Sequence, residues 1–262
     1  MSNIITLPNP RADWCYFLDV DGTLAEIAQT PDHVEIGDTV IQTLARLIDV
    51  AGGAVALVSG RTLADIDRLF APLRLSAVGQ HGMEVRGADG IVTHPRELPQ
   101  GYGVIRAHLS DFAAQIPGVI LEEKGYSLAL HYRQAPKEAM AARAVAESAV
   151  VPFRGDFHVL RGNMVLEVKP CSTDKGTAVR DLMSQAPYKG RKPVFAGDDT
   201  TDEDGFIAVN DLGGLSIRVG INGATSAQIK IGSVDELVNW LSQVPSVAPI
   251  PDGSQAADGR RR

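Results

Sequence analysis

The sequence Phe17-Leu18-Asp19-Val20-Asp21-Gly22-Thr23 decides the fold of this chain, because an apolar run ends there in two carboxylates and a glycine. The five residues from Trp14 to Leu18 are apolar without alternation, which is typical of a strand buried on both faces of a parallel sheet. Gly22 is where such a strand would turn. We therefore expect Asp19 and Asp21 at the carboxyl end of a buried strand, the edge at which open α/β sheets bind ligands.

The two neighbouring carboxylates of Asp19 and Asp21 repel each other unless a positive charge lies between them. A divalent cation is the simplest such charge. Hard ions such as Mg2+ bind carboxylate and carbonyl oxygens and leave positions for water and phosphate, so the pair indicates phosphoryl transfer. The alternative for an isolated pair of this kind is a solvated turn after a strand.

Composition limits the classes of protein that this chain can be. With 262 residues, of which 44% are hydrophobic and 22% charged, it is long enough for a large domain and a smaller one. The net charge of −7 and the pI near 5.4 argue against nucleic acid or an anionic membrane as a partner. The first ten residues lack a signal core, and no stretch approaches the ~20 apolar residues of a membrane span. We expect a cytoplasmic protein in which Cys15 and Cys171 are free thiols.

A second buried strand follows the first after a helix, as in a doubly wound sheet. Apolar residues recur at helical spacing over residues 40–48, and Ala54 to Val58 form the next apolar run. That run ends in Ser59-Gly60-Arg61, where a hydroxyl, a glycine and a helix amino terminus together suit an oxyanion. An ordinary helix N-cap is the alternative interpretation.

The next segment predicts a third strand and a hairpin. The strand spans residues 75–79, and the Asp89-Gly90 turn separates two short apolar runs. His81 and His94 lie in this segment. We interpret both as structural or surface groups and not as ligands.

From about Leu98 the pattern changes to two amphipathic helices that alternate with short strands, which indicates a small α+β layer over the acidic edge. We therefore predict a discontinuous core of residues 1–98 and 171–262, with an inserted cap of residues 99–170. The tail 249–262 is predicted to be disordered.

After the cap the sequence returns to the α/β pattern. Asp174 is a predicted N-cap, and Lys175 lies in the first helical turn, where its charge opposes the helix dipole. A bound anion would explain that placement, although a solvated lysine is the commoner case. Strand 194–197 ends in the acidic run Asp198 to Asp204, and residues 214–220 are predicted to form the last strand.

Four motifs now stand in order at strand ends, and together they resemble those of the haloacid dehalogenase superfamily of phosphotransferases: Asp19-Val20-Asp21-Gly22-Thr23, Val58-Ser59-Gly60-Arg61, Lys175-Gly176 and Gly197-Asp198-Asp199-Thr200-Thr201-Asp202. The resemblance implies a doubly wound, mostly parallel α/β core with an inserted α+β cap. It also implies covalent catalysis, in which Asp19 is the nucleophile and Asp21 the general acid and base. Ser59 and Lys175 would hold the phosphoryl oxygens. Mg2+ would be held by the Asp19 carboxylate, the Asp21 main-chain carbonyl and Asp198, with Asp199 beside it and Asp202 supporting Lys175.

The cap segments around Glu122 to Arg133 and Glu167 to Pro170 are similar to those of the trehalose-6-phosphate phosphatases. That resemblance implies hydrolysis of trehalose 6-phosphate, with a sugar phosphate as the small-molecule partner and a monomer or weak oligomer as the assembly. The implied substrate-binding residues are Gly60, Arg61, Glu122, Lys124, His131, Arg133 and Glu167. Three alternatives remain open: a phosphatase for sucrose 6-phosphate or another hexose phosphate, a phosphomutase, and a non-catalytic binding module.

Overall fold

The structure is a computed structural model that describes residues 7–28, 33–93, 98–162, 164–171 and 174–245. The strands of this part of the chain are β1 (Trp14–Leu18), β2 (Val55–Val58), β3 (Ser76–Gly79), β4 (Glu84–Arg86), β5 (Val92–Thr93), β6 (Ile120–Glu123), β7 (Leu128–His131), β8 (Phe157–Gly162), β9 (Val165–Pro170), β10 (Lys192–Gly197), β11 (Leu215–Val219) and β12 (Ile229–Ile231). Its α-helices are α1 (Asp38–Val50), α2 (Leu63–Leu69), α3 (Tyr102–Gln115), α4 (Ala139–Val150), α5 (Lys175–Met183), α6 (Glu203–Asp211) and α7 (Val234–Ser242). The predicted tail 249–262 and His94 lie outside the described residues.

The central sheet has eight strands in the order β12-β11-β10-β1-β2-β3-β4-β5. The pairs from β12 to β3 are parallel, and the β3–β4 and β4–β5 pairs are antiparallel. Strand β1 lies in the middle, and all five of its residues are buried. The predicted mostly parallel α/β sheet is therefore confirmed, and the antiparallel edge is the predicted hairpin.

Helices cover both faces of the central sheet, which is why β1 is apolar without alternation. On one face, Tyr16 and Leu18 pack with apolar residues of α1, α2 and α7. On the other face, Cys15 and Phe17 pack with residues of α5 and α6. The sheet is thus doubly wound, as the sequence predicted.

The prediction that residues 214–220 form the last strand is wrong. Strand β12 follows it and pairs in parallel with β11, placing Ile217 opposite Ile229. Its three residues, Ile229-Lys230-Ile231, contain only two apolar side chains. A run this short carries too little periodicity to be recognised as a strand.

A second, antiparallel sheet in the order β6-β7-β9-β8 lies between β5 and α5 in the chain. One face of it packs on α3 and α4 through an apolar cluster that includes Leu128, Leu130 and Val168. The opposite face carries Glu122, Ala129, Glu167 and Leu160, which are register partners across the four strands. Since directly paired residues point to the same side of a sheet, Glu122 and Glu167 share this polar face. The chain passes from the central sheet to the second sheet, and back again, near the predicted domain bounds. The bounds themselves stay a prediction.

Candidate active site

The two carboxylates of the opening motif lie at the carboxyl end of β1. The backbone N–H of Asp19 donates to the carbonyl of Ala196 in β10 at 2.9 Å, so Asp19 is held between the ends of two parallel strands. The Asp19 residue is only 4% exposed. Gly22 adopts a φ of +80°, and a side chain there would overlap the Asp198 carboxylate. A glycine is therefore required where the two acidic segments approach each other.

Lys175 connects Asp19 to the second acidic segment. Its Nζ lies 2.7 Å from Oδ1 of Asp19 and 2.6 Å from Oδ1 of Asp202, and all three side chains are nearly inaccessible. Burial alone would lower the pKa of Lys175, but the two carboxylates outweigh burial and raise it. Asp174 caps α5 by accepting from the N–H of Thr177 at 2.7 Å, as predicted. The unfavourable position of Lys175 in the first turn is therefore explained by two ion pairs.

Asp19, Asp198 and Asp202 form a group whose carboxylate oxygens lie within 4.8 Å of one another. Both oxygens of Asp202 are engaged, since Oδ1 contacts Lys175 and Oδ2 accepts from the N–H groups of Asp198 and Asp199 at 3.0 Å. Asp19 and Asp198 are thus the better candidates for direct ligands. Asp202 has the supporting contact with Lys175 that was predicted for it.

The charges of this group favour a bound cation. Burial, followed by the nearby carboxylates of Asp202 and Asp199, raises the pKa of Asp198 to about 7. Burial and Asp202 also raise the pKa of Asp19, against the opposing effect of Lys175. A hard divalent ion would stabilise both carboxylates in their ionised forms. The residues present therefore fit Mg2+.

The side chains of Asp21 and Asp199, the other two residues predicted at the metal, make separate contacts. The side chain of Asp199 is exposed and caps a 3₁₀ turn by accepting from the N–H of Thr200 at 2.6 Å. The Asp21 carboxylate points to Arg61, whose Nε and Nη2 lie 2.7 and 2.6 Å from its two oxygens. In the described part of the chain, neither side chain belongs to the group of three acids.

The Ser59–Arg61 loop follows β2 at the same edge of the sheet. Ser59 is 1% exposed, and its Oγ accepts from the N–H of Arg61 at 3.2 Å. Thr62 caps α2 by accepting from the N–H of Asp65. Thr62 is therefore an N-cap, and the binding of an oxyanion by Ser59, Gly60 and Arg61 stays a prediction.

His81 lies at the candidate site, a position that the sequence did not predict. It lies in a 3₁₀ turn directly after β3, and its Nε2 is 3.8 Å from Oε2 of Glu167 in β9. A Cβ at Gly60 would lie 2.5 Å from the same ring nitrogen. The position of His81 in the sequence could have indicated this placement, because His81 follows a parallel strand that ends at the same edge of the sheet as the site.

Several predicted cap residues share the polar face of the second sheet. Glu122 accepts from His131 across the β6–β7 pair at 2.8 Å, and this hydrogen bond, with the charge of Lys124, lowers the pKa of Glu122. Glu167 accepts from the hydroxyl of Ser127 at 2.7 Å. Burial would raise the pKa of Glu167, but His81, Lys124 and Ser127 outweigh it and lower this pKa to about 2.

Lys124 lies in the turn after β6, where its N–H donates to the carbonyl of Ser127 at 3.0 Å, and its side chain is half-buried. Arg133 lies beyond the end of β7 and is exposed. The structure therefore brings Glu122, His131 and Glu167 onto one sheet face with Lys124 close by, and leaves Arg133 at its border.

Comparison with known proteins relates this arrangement to one family. A family model described as trehalose-phosphatase matches residues 17–236. Trehalose-6-phosphate phosphatase of Escherichia coli K12 is 41% identical over 238 residues, covering 90% of this chain and 88% of the relative. A probable trehalose-phosphate phosphatase of Sinorhizobium fredii is 40% identical over 208 residues, covering 79% of this chain and 78% of the relative.

A solved structure agrees with the sequence relatives. The crystal structure of a trehalose-6-phosphate phosphatase related protein superposes with a TM-score of 0.71 at 25% identity, covering 87% of this chain and 95% of that chain. The chain therefore belongs to the trehalose-phosphatase family, a family of phosphoric monoester hydrolases within the haloacid dehalogenase superfamily.

Proposed function

We propose that this enzyme hydrolyses trehalose 6-phosphate to trehalose and phosphate, through an aspartyl-phosphate intermediate and with Mg2+ as its cofactor. The observation that carries the chemistry is the buried Asp19 at the end of β1, ion-paired with Lys175 at 2.7 Å. The substrate is supported by the 41% identity to the enzyme of Escherichia coli that bears the name trehalose-6-phosphate phosphatase.

The proposed reaction has two steps. The Asp19 carboxylate attacks phosphorus, the bond from phosphorus to the sugar oxygen breaks, and Asp21 gives its proton to that leaving oxygen. Asp21 then takes a proton from water, which attacks the aspartyl-phosphate, releases phosphate and restores Asp19. Ser59 and Lys175 hold the phosphoryl oxygens, where negative charge develops. Gly60 would present its backbone to the phosphate, and Arg61 orients Asp21.

Mg2+ would neutralise charge on the phosphoryl group when bound. Asp19, Asp198 and the main-chain carbonyl of Asp21 would hold it, with Asp199 beside them. The raised pKa values of Asp19 and Asp198 support this assignment, because a cation would keep both groups ionised. Both oxygens of Asp202 are already engaged, so Asp202 orients Lys175 through Oδ1 and the backbone of Asp198 through Oδ2.

The sugar is proposed to bind against the polar face of the second sheet. Glu122, Lys124 and Glu167 would hydrogen-bond its hydroxyls, with His131 and Arg133 beside them as further substrate-binding groups. The shared face of Glu122 and Glu167 in the strand register supports this proposal. Ionised carboxylates make stronger hydrogen bonds to hydroxyls than neutral acceptors do, and the lowered pKa values of both groups favour that form.

Residues 1–98 and 171–262 are proposed as the core domain and 99–170 as the cap, because the chain leaves the central sheet after β5 and returns with α5. The free cysteines Cys15 and Cys171 support a cytoplasmic enzyme. The charge of −7 supports a monomer or weak oligomer with no nucleic-acid or membrane partner. In the described part of the chain, no helix is both long and apolar enough to span a membrane.

The test is phosphate release from trehalose 6-phosphate, sucrose 6-phosphate, glucose 6-phosphate and p-nitrophenyl phosphate, each with Mg2+ and with EDTA. We expect a strong preference for trehalose 6-phosphate that EDTA abolishes. Preference for another sugar phosphate would retain the core chemistry and overturn the sugar assignment. Formation of an isomerised sugar phosphate would instead reveal a mutase, and no turnover of any compound would indicate a binding module.

The covalent step is tested separately with Asp19→Asn, which should abolish turnover while the circular dichroism spectrum stays that of the wild type. Acid-quench trapping of a phosphoenzyme from labelled substrate should detect the intermediate in the wild type and not in Asp19→Asn. Appreciable turnover by a folded Asp19→Asn enzyme would contradict the proposed nucleophile.

A further inference from the structure

His81 joins the two halves of the site. Its own N–H donates to the carbonyl of Ser59 at 3.0 Å, and the N–H of Gln80 donates to the carbonyl of Arg61 at 2.8 Å. The turn that carries His81 is therefore braced on the Ser59–Arg61 loop by main-chain hydrogen bonds. The imidazole in turn reaches to 3.8 Å from Glu167 in β9. One side chain thus lies between the loop proposed for phosphate and a carboxylate proposed for the sugar.

The position of the imidazole is closely determined. Gln80 and His81 have φ values of 47° and 56°, a backbone conformation that non-glycine residues adopt at some cost. Gly60 has no side chain, and any Cβ there would collide with Nε2 and Cε1 of His81. The His81 and Glu167 side chains are 10% and 16% exposed. The unusual backbone, the missing Cβ at position 60 and the burial together place Nε2 against Glu167.

We propose that His81 is a positioning residue. It fixes the position of the Glu167 carboxylate relative to the Ser59–Arg61 loop, and so couples sugar recognition to phosphate recognition. This inference deepens the proposed function and rests on it. Ser127 holds the other carboxylate oxygen of Glu167 at 2.7 Å, so the two contacts together restrict the carboxylate from both sides. The restriction should strengthen the binding of a substrate with a sugar, whereas p-nitrophenyl phosphate has no sugar hydroxyls for Glu167 to bind.

The test compares His81→Asn and His81→Gln. Asparagine tolerates the left-handed backbone but is too short to reach Glu167. Glutamine already occupies such a backbone at position 80 and can place an amide N–H near the site of Nε2. We expect His81→Asn to lower the ratio of kcat/KM for trehalose 6-phosphate to kcat/KM for p-nitrophenyl phosphate by about tenfold, chiefly through KM. His81→Gln should restore most of that ratio.

Val78→Ala is the matched control, because Val78 is buried in β3 and lies in the core sheet. It should lower thermal stability while leaving the ratio within about twofold of the wild-type value, as expected for a purely structural change. If His81→Asn reduces kcat/KM for both substrates by the same factor, or changes neither, the positioning role is overturned.

Combination with Glu167→Gln tests whether His81 acts through Glu167. The double variant His81→Asn/Glu167→Gln should have the ratio of Glu167→Gln alone, within about twofold, because coupled residues are non-additive. Independent, multiplicative losses would overturn the inference. The wild type separates this result from the proposed function: no preference for a sugar phosphate in the wild type removes the function, whereas a preference that His81→Asn leaves intact removes only the role of His81.

Discussion

Arg61 holds both carboxylate oxygens of Asp21, with its Nε 2.7 Å from Oδ2 and its Nη2 2.6 Å from Oδ1. The Arg61 side chain is 8% exposed and that of Asp21 is 40% exposed, so the pair is buried on the arginine side and open to solvent on the aspartate side. This pair links the loop after β2 to the motif after β1. Arg61 therefore orients Asp21, the residue proposed to move the proton.

The first prediction concerns this fork. Arg61→Lys retains the charge but loses the two parallel hydrogen bonds, so kcat for trehalose 6-phosphate should fall by about ten- to a hundredfold. Arg86→Lys is a matched control, since Arg86 makes a similar fork with Asp67 at 2.8 and 2.6 Å, between β4 and α2. That control should lose thermal stability and keep its kcat. An unchanged kcat in Arg61→Lys would show that the fork is unimportant for catalysis.

The second prediction concerns the buried ion pairs of Lys175. Lys175→Met leaves the Asp19 and Asp202 carboxylates buried without the cation that contacts both, and should lower the free energy of unfolding by about 3 to 5 kcal/mol. Adding Asp202→Asn removes one of those charges and should recover part of the loss. Urea unfolding in EDTA compares Lys175→Met, Asp202→Asn and the double variant with the wild type. Simple addition of the two single losses would contradict a shared ion-pair network.

The third prediction uses two neighbouring glutamates on β6 that point to opposite faces of the second sheet. Glu122 contacts His131 on the polar face at 2.8 Å, whereas Glu123 contacts Arg106 of α3 at 2.7 Å. Glu122→Gln should raise KM for trehalose 6-phosphate by about tenfold through the loss of a charged acceptor. Glu123→Gln should leave KM unchanged. Equal effects in the two variants would mean that the polar face is not where the sugar binds.

The fourth prediction concerns acid stability. The pKa of Glu167 is about 2 in the folded protein, against about 4.3 for an unperturbed glutamate. The folded state therefore binds fewer protons than the unfolded state between these values. Glu167 thus contributes stability above about pH 4.3 that is lost as the pH falls toward 2.

Between pH 6 and pH 3 the wild type should lose about 1.5 kcal/mol more free energy of unfolding than Glu167→Gln does. Urea unfolding of both proteins across this range measures the difference. Glu123→Gln is the control at an exposed glutamate, since Glu123 contacts Arg106 at the surface. Its pH curve should follow that of the wild type. Parallel pH curves for wild type and Glu167→Gln would show that Glu167 is not held in its ionised form.

Much of the core could be predicted because its signals are local. The apolar run of β1, the glycine at position 22 and the N-cap Asp174 each depend on a few consecutive residues, and the structure confirms all of them. The three-residue β12 was not predicted, because so short a segment is defined by its pairing with β11 and not by its own pattern.

The sequence alone predicted that Asp19, Ser59, Lys175 and Asp198 lie at one edge of the sheet, because parallel strands present their carboxyl ends there. The tertiary structure alone decided which partner each group takes. Asp21 pairs with Arg61, Lys175 bridges Asp19 and Asp202, and His81 reaches Glu167. These contacts join residues that are far apart in the chain, and they depend on turn geometry and side-chain packing between elements, which periodicity and spacing do not encode.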